Sequence, residues 1–229
     1  VALVAGSTLI SLMSAGILDM RRSQQSKTLG LLRLREFLRQ EAIPVGLAAE
    51  VQRQVHARDE EVVRYHEDQV DALARLSRTT RMRLVCAIRI PALLSHDFWR
   101  IWSTIDLGAL RALCLDAVDL RYFRSEDDLF LAGEPCSEAL YIADGRHFYR
   151  QTPKTSMVDE AVSETVVEDS WVCEAALWSR WITVGSLATI TRSKVISVRA
   201  EELWKVVKET PSVLGMVRTY AHNFHKRLT

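Results

Sequence analysis

The spacing of apolar residues changes twice along the chain and predicts three successive regions. From Leu29 to Ile90 the apolar residues recur every three or four positions, as in amphipathic helices. From about Leu120 to Ala200 they form short alternating runs between turn residues, which indicates strands. Beyond Ala200 the helical period returns. This order predicts an α+β fold, in which an antiparallel, jelly-roll-like β-roll of about eight short strands is flanked by helices.

Helix-stop residues divide the first region. Pro44 disfavours helical backbone at Ile43 and so ends a first helix, and a second is expected from Val45 to about Tyr65. Ser77 is placed to cap a later helix, which we expect Pro91 to end. Because these helices are polar on most faces, we expect their remaining apolar surface to be buried in subunit contacts.

The start of the chain has the composition of a membrane segment. Val1 to Leu18 carry no charge, and as a helix they would span roughly 27 Å, close to the hydrocarbon core of a bilayer. Six basic and two acidic residues follow between Asp19 and Gln40, a cytoplasmic type of flank. We therefore expect the end of a transmembrane helix, with the chain from about Asp19 onward cytoplasmic. The alternative is a buried core helix with small residues at close contacts.

Composition narrows the class of protein. The 229 residues are 48% hydrophobic and 26% charged, which excludes a disordered chain and fits one or two domains. Thirty basic and 29 acidic residues give a net charge of +1, so no nucleic-acid partner is expected. The sequence lacks a Ser-His-Asp order, a glycine-rich phosphate loop and a metal-ligand cluster, so we expect no enzyme and no metal site.

The four cysteines lie far apart in the sequence and form no C-x-x-C pair. This spacing argues against a zinc site or a disulfide framework and predicts reduced, buried thiols. They are Cys86, Cys114, Cys136 and Cys173.

Several segments resemble one known arrangement. "LREFLRQEAIPVGLAAEVQRQV" and "LARLSRTTRMRLV" resemble parts of a helical C-linker, and "DDLFLAGEPCSEALYIADG" resembles a strand, a Gly-Glu turn and a strand ending in Gly. Their order resembles the C-linker and cyclic-nucleotide-binding homology domain of cyclic-nucleotide-gated, hyperpolarization-activated and ether-a-go-go-like cation channels. In that resemblance Gly133 and Gly145 take positive backbone angles.

The resemblance implies a domain plan and a function. Residues 1–18 would be the end of the last pore-lining helix, 19–97 the C-linker and 98–229 the cyclic-nucleotide-binding homology domain. The chain would be the gating region of a tetrameric, voltage-gated-like cation channel selective for potassium, assembled as a homotetramer through the C-linker. Ser212 to Leu228 would be the lid helix, although core packing explains its apolar positions equally well; these are Val213, Met216, Val217 and Tyr220.

"WVCEAALW" falls where this family carries its phosphate-binding cassette. Glu174 matches the acid that accepts the ribose hydroxyl, and the amides of Ala175 and Ala176 match the helix start that faces the phosphate. Cys173 stands where the family has glycine. Aligning "LATI", which begins at Leu187, puts Ser186 at the position of the phosphate-binding arginine.

The missing arginine predicts that cAMP or cGMP binds weakly or not at all. A charge-assisted hydrogen bond contributes roughly 1.5 to 3 kcal/mol, so its loss lowers affinity by one to two orders of magnitude at least. Arg180 and Arg192 lie nearby, but their spacing favours neither as a substitute, and Trp178 and Trp181 can fill the space of a nucleotide. The alternative function is a soluble cyclic-nucleotide-sensing regulatory protein with the same roll.

Overall fold

The computed structural model describes residue 25 and residues 28–60 and 65–228. The chain divides into two units, one ending at Val62 and the other beginning at Val63. The predicted transmembrane end, Val1 to Leu18, lies outside the described residues. Within the described part of the chain, no helix combines the length and the apolar character needed to cross a membrane.

The first unit contains two helices joined by a short turn. Helix α1 covers 28–40 and helix α2 is Val45–Glu60, so the predicted break before Pro44 is confirmed. Arg35 Nε donates a hydrogen bond to Gln52 Oε1 at 3.3 Å and links the two helices. The predicted extension of the second helix toward Tyr65 runs through 61–64, which lie outside the described residues.

The second unit begins with helical segments. Two short 3-10 helices precede three α-helices that pack beside the roll. They are Glu67–Gln69 and Asp71–Arg75, then α3 (Arg78–Leu93), α4 (Asp97–Ile105) and α5 (Leu107–Asp116).

One of the two predicted boundaries of α3 is right and the other is wrong. The Ser77 cap is confirmed, because Ser77 Oγ accepts the Thr80 amide at 3.2 Å. Pro91 does not end α3, which continues to Leu93. Proline removes only its own amide donor, and the Leu94 amide still bonds to the Ile90 carbonyl at 3.0 Å.

The middle of the second unit is an antiparallel β-roll, as predicted. Its sheets have the orders β1-β10-β4-β7 and β2-β9-β5-β6, with β3 and β8 as a separate pair. Two of the ten described strands are only two residues long, too short to show the alternation on which the count of about eight rested. The strands are β1 (Val118–Phe123), β2 (Asp128–Phe130), β3 (Pro135–Cys136), β4 (Glu138–Asp144), β5 (His147–Gln151), β6 (Val162–Val166), β7 (Ser170–Val172), β8 (Trp181–Ile182), β9 (Gly185–Thr189) and β10 (Ser193–Arg199).

Three helices complete the unit: α6 (Ala175–Trp178), α7 (Ala200–Glu209) and α8 (Pro211–Leu228). Pro211 is the first residue of α8 and not a residue between two helices. This position suits proline, whose missing amide has no partner in the first turn of a helix.

The turn glycines have the predicted backbone. Gly133 has φ +84° and Gly145 has φ +99°, so both positive angles are confirmed. Gly145 is also restricted by space, because an added Cβ would lie 2.6 Å from Ser193 Cβ.

The buried Arg89 fixes α3 to the rest of the second unit. Its guanidinium donates to the Cys114 carbonyl at 2.8 Å and to the Val118 carbonyl at 2.5 Å, and pairs with Glu67 at 3.4 Å. These contacts pair both terminal nitrogens of a cation that is costly to bury alone, while its Nε has no hydrogen-bond partner among the described residues. Arg89 therefore ties α3 into the second unit, which begins at Val63.

Candidate functional site

The cassette segment bends sharply between β7 and α6. Cys173 has φ +58°, a left-handed angle that glycine adopts more readily than other residues. The backbone bend thus exists here with a cysteine at the position where the resemblance implies glycine. Glu174 follows as the N-cap of α6, and the Ala176 amide donates to the Cys173 carbonyl at 3.0 Å. The Ala176 amide is therefore already used within the turn.

The Glu174 carboxylate is bound by three side chains of the protein. Tyr220 Oη donates to Oε1 at 2.7 Å, Trp178 Nε1 lies 3.4 Å from the same oxygen, and His96 Nε2 lies 3.3 Å from Oε2. We call Glu174, His96, Trp178 and Tyr220 the Glu174 cluster. It joins the cassette to α8 and to the residue before α4.

The hydrogen bonds of His96 fix which ring nitrogen carries the proton. Nδ1 accepts the Phe98 amide at 3.1 Å, and this bond caps α4. A nitrogen that accepts a hydrogen bond carries no hydrogen, so the proton of the neutral ring is on Nε2. His96 Nε2 is then a donor to Glu174.

These contacts hold Glu174 in its charged form. Burial is the largest single influence and raises the pKa of this carboxyl, but the hydrogen bonds from His96, Tyr220 and Trp178 together outweigh it and lower the pKa. The pKa of Tyr220 is raised, first by burial and then by its bond to Glu174. Both shifts preserve a hydroxyl donor facing a carboxylate acceptor.

Helix α8 is held against neighbouring helices of the second unit at several points. Ser212 Oγ donates to Asp106 Oδ2 at 2.8 Å near the start of the helix, and Val213 and Val217 are fully buried. The Tyr220 ring lies 4.5 Å from the Phe98 ring and 5.3 Å from the Trp178 ring, measured between centroids. The predicted apolar stripe of this helix therefore packs on the unit, and Tyr220 adds a polar contact to the cassette.

The roll contains a cavity of about 410 Å³, which we call the roll cavity. Its wall is mainly apolar, with aromatic, aliphatic and a few polar side chains. They are Phe130, Tyr149, Trp181 and Phe224; Val166, Val172, Ala175, Val184 and Leu187; and Glu164, Cys173, Glu174 and Thr183. Phe224 belongs to α8, so the same helix binds Glu174 and contributes to the cavity wall.

No lysine or arginine of the described part of the chain lines the roll cavity. Arg180 is exposed, and neither it nor Arg192 is in the wall. A cyclic phosphate placed there would have no cationic partner, while two carboxylates, Glu164 and Glu174, are present. The electrostatics of the cavity therefore disfavour an anion.

The structure divides the residues named from the sequence into two groups. Cys173, Glu174, Ala175 and Leu187 contribute to the cavity wall. Ala176 and Ser186 do not, and Ser186 Oγ instead accepts the Ala132 amide at 3.0 Å.

Thr183 was missed by the sequence reasoning. It is buried in the wall, and its hydroxyl donates to the Leu131 carbonyl at 2.5 Å. The segment before β9 is irregular, and the sequence carries no alternation from which the direction of this side chain could be inferred.

The two tryptophans of the cassette loop have different positions. Trp181 lines the roll cavity, in agreement with the expectation that it occupies space there. Trp178 points elsewhere, toward an aromatic group formed with Phe98, Trp204 and Phe224. Trp178 therefore supports α8 and does not fill the cavity.

Two cysteines that are distant in sequence meet beside the cassette. The thiols of Cys136 and Cys173 are in hydrogen-bond contact, and this contact lowers the pKa of Cys136 to about 7 against the opposing effect of burial. Both side chains are only partly buried, whereas Cys86 and Cys114 are buried as predicted. The expectation of four separate buried thiols is thus wrong for this pair, because the fold brings β3 next to the end of β7.

The roll, the short helix α6 and the helices α7 and α8 together form an α+β arrangement with antiparallel sheets. No family model and no curated protein matches the sequence. Among solved structures, 381 chains match. One is the N-terminal domain of a transcriptional regulator from Streptomyces coelicolor A3(2), with 16% identity over 59% of this chain and 92% of that chain, and a TM-score of 0.47.

Proposed function

We propose that residues 63–229 are a regulatory domain that is not an enzyme and that does not use cyclic nucleotide as its ligand. In this proposal the acid of the cassette binds the C-terminal helix α8. The domain acts by changing how firmly α8 is held, and a partner or a neighbouring domain responds to that change.

One observation carries the proposal: the Tyr220 hydroxyl lies 2.7 Å from Glu174 Oε1. A ribose hydroxyl would have to compete with a donor that is already in place, and with His96 on the other carboxylate oxygen. The cavity wall formed by the described residues also offers no cation for the phosphate. Both anchors of a cyclic nucleotide are therefore missing or occupied.

Titration of the 229-residue chain with a fluorescent cAMP analogue, and with cGMP as competitor, tests this proposal. We expect no saturable binding up to millimolar ligand. Saturation in the micromolar range that Glu174→Ala abolishes would contradict it. Glu160→Gln, an exposed acid outside the cluster, is the matched control.

For the setting of this domain we propose the gating region of a tetrameric, voltage-gated-like potassium channel. The resemblance of the C-linker segments supports it, as does the exposed apolar surface of the first unit. Leu29, Leu32 and Phe37 of α1 and Val45 and Leu47 of α2 are each at least half exposed. Such residues are suited to contacts between subunits of a homotetramer below the membrane, on the cytoplasmic side.

A second setting is a cyclic-nucleotide-type regulatory protein without a pore. Its roll would have the same α8 and the same cassette, so the second unit alone fits both settings. Any coding sequence found upstream of Val1 would distinguish them. A pore-loop signature with five further apolar spans supports the channel, and a helical module that reads DNA supports the regulator.

A further inference from the structure

The size and wall of the roll cavity suit a small organic molecule. Its volume of about 410 Å³ lies in the range of small-molecule pockets, roughly 300 to 1,000 Å³. Aromatic rings come from three sides: Phe130 and Tyr149 from the roll, with ring centroids 6.4 Å apart, Trp181 from β8, and Phe224 from α8. An apolar body placed among them would be removed from water on several faces.

The charges of the cavity select the kind of ligand. Glu164 lies on β6, opposite Tyr149 in the register of β5 and β6, and its exposed side chain is at the solvent side of the cavity. Glu174 is the second acid of the wall and is already bound by the Glu174 cluster. Among the described residues, no lysine or arginine in the wall balances Glu164.

We propose that the roll cavity binds a hydrophobic organic cation, an amine that carries an aromatic body. The ring would lie among Phe130, Trp181 and Phe224, and the ammonium group would pair with Glu164. Aromatic faces add attraction for the cation, and the carboxylate gives a charge-assisted hydrogen bond. This inference rests on the proposed function, because the ligand would act on α8 through Phe224.

Three probes that share one ring test the charge preference. Tryptamine is a cation at pH 7, tryptophol is its neutral alcohol, and indole-3-acetate is an anion of similar size. In calorimetric titrations of the 229-residue chain we expect tryptamine to bind most tightly, tryptophol less tightly and indole-3-acetate least tightly. We expect tryptamine to bind at least about tenfold more tightly than the acid, the ratio that about 1.4 kcal/mol produces.

Glu164→Gln identifies the residue responsible. We expect the advantage of tryptamine over tryptophol to disappear in this variant, while tryptophol affinity stays unchanged. Glu168→Gln removes a nearby exposed acid outside the cavity wall and should leave all three affinities unchanged. Because Glu164 is exposed, its replacement should not disturb folding, and the unchanged tryptophol affinity verifies this.

The outcomes separate this inference from the proposed function. Equal affinities for the three probes, preference for the acid, or a tryptamine advantage that survives Glu164→Gln would each overturn the inference. Absence of binding by all three at millimolar concentration would overturn it too. If the inference fails and cAMP also fails to bind in a parallel titration, the proposed function is still supported. If cAMP saturates at micromolar concentration, the proposed function itself is contradicted.

Discussion

Tyr220 of α8 donates a hydrogen bond to Glu174 at 2.7 Å, so the last helix is bound to the acid that begins the cassette helix. The bond joins two residues 46 positions apart in sequence. The carboxylate that the resemblance assigns to a ligand hydroxyl is thus bound to a side chain of the protein.

Tyr220→Phe should loosen the C-terminal half of α8. The variant keeps the ring contacts with Phe98 and Trp178 and removes only the hydroxyl donor. Loss of one hydrogen bond to a charged group corresponds to about 1.5 to 3 kcal/mol. Hydrogen exchange of the α8 amides should therefore become faster.

Thr219→Ala is the control for this measurement, since Thr219 is exposed on the same helix and its hydroxyl bonds only within α8. If Tyr220→Phe changes the exchange of α8 no more than Thr219→Ala does, the hydroxyl does not hold the helix.

Acidification should weaken the same contact. The folded-state pKa of Glu174 is lowered from the ordinary value of 4.5, although burial alone raises it, because the bonds from His96, Tyr220 and Trp178 prevail. Its contribution to stability is then present in full above the unfolded-state pKa and is lost as the pH falls through the folded-state pKa.

Thermal unfolding of the wild type and Glu174→Gln between pH 3 and pH 7 measures this effect. The stability difference between them should be largest near neutral pH and shrink below about pH 4.5, the ordinary glutamate pKa. A difference that stays constant over this range would show that the charge of Glu174 is not involved. Glu160→Gln should follow the wild-type curve throughout.

The thiols should differ in reactivity. The hydrogen bond from Cys173 lowers the pKa of Cys136 to about 7, while burial raises the pKa of Cys114 to about 12. Because the thiolate is the reactive form, alkylation by iodoacetamide should modify Cys136 first, with a midpoint near pH 7.

Cys173→Ala removes the donor and should move this midpoint upward. Peptide mass spectrometry across a pH series identifies which cysteine is alkylated and gives the pH midpoint of its alkylation. Faster labelling of Cys114 than of Cys136, or an unchanged midpoint in Cys173→Ala, would show that the two thiols do not interact.

Two glycines should respond oppositely to alanine. Gly145→Ala puts a Cβ 2.6 Å from Ser193 Cβ at a φ of +99°, and should lower the free energy of unfolding by about 1 to 3 kcal/mol. Gly215 lies in α8 with open space where a Cβ would be, so Gly215→Ala should raise the free energy of unfolding by about 0.5 to 1 kcal/mol. Chemical denaturation measures both, and effects of the same sign would contradict the assignment of strain.

Local sequence patterns were sufficient to predict much of the fold. The Ser77 cap, the positive angles at Gly133 and Gly145 and the antiparallel roll all follow from short-range preferences that the tertiary structure preserves. The prediction that Pro91 ends α3 was wrong because a proline in the last turn of a helix removes only one hydrogen bond.

The site was less predictable because it depends on long-range contacts. The sequence identified Glu174 but gave no indication that His96 and Tyr220 would bind it, since neither lies near the cassette in the chain. The alignment put Ser186 at the position of the phosphate-binding arginine and therefore in the site. In the structure Thr183 is in the cavity wall and Ser186 is not. Ser186 lies within β9 next to the buried Leu187, so strand alternation turns it to the other face, whereas Thr183 lies in the irregular backbone before β9, where no alternation indicates its direction.

A double-mutant cycle between Glu174 and Tyr220 tests the central claim most directly. Unfolding free energies are measured for the wild type, Glu174→Ala, Tyr220→Phe and the double variant by chemical denaturation. Residues that interact this closely show coupling of about 0.5 to 3 kcal/mol, and we predict a favourable coupling of at least about 1 kcal/mol. Additive effects of the two substitutions, with a coupling near zero, would contradict the claim that Glu174 holds α8.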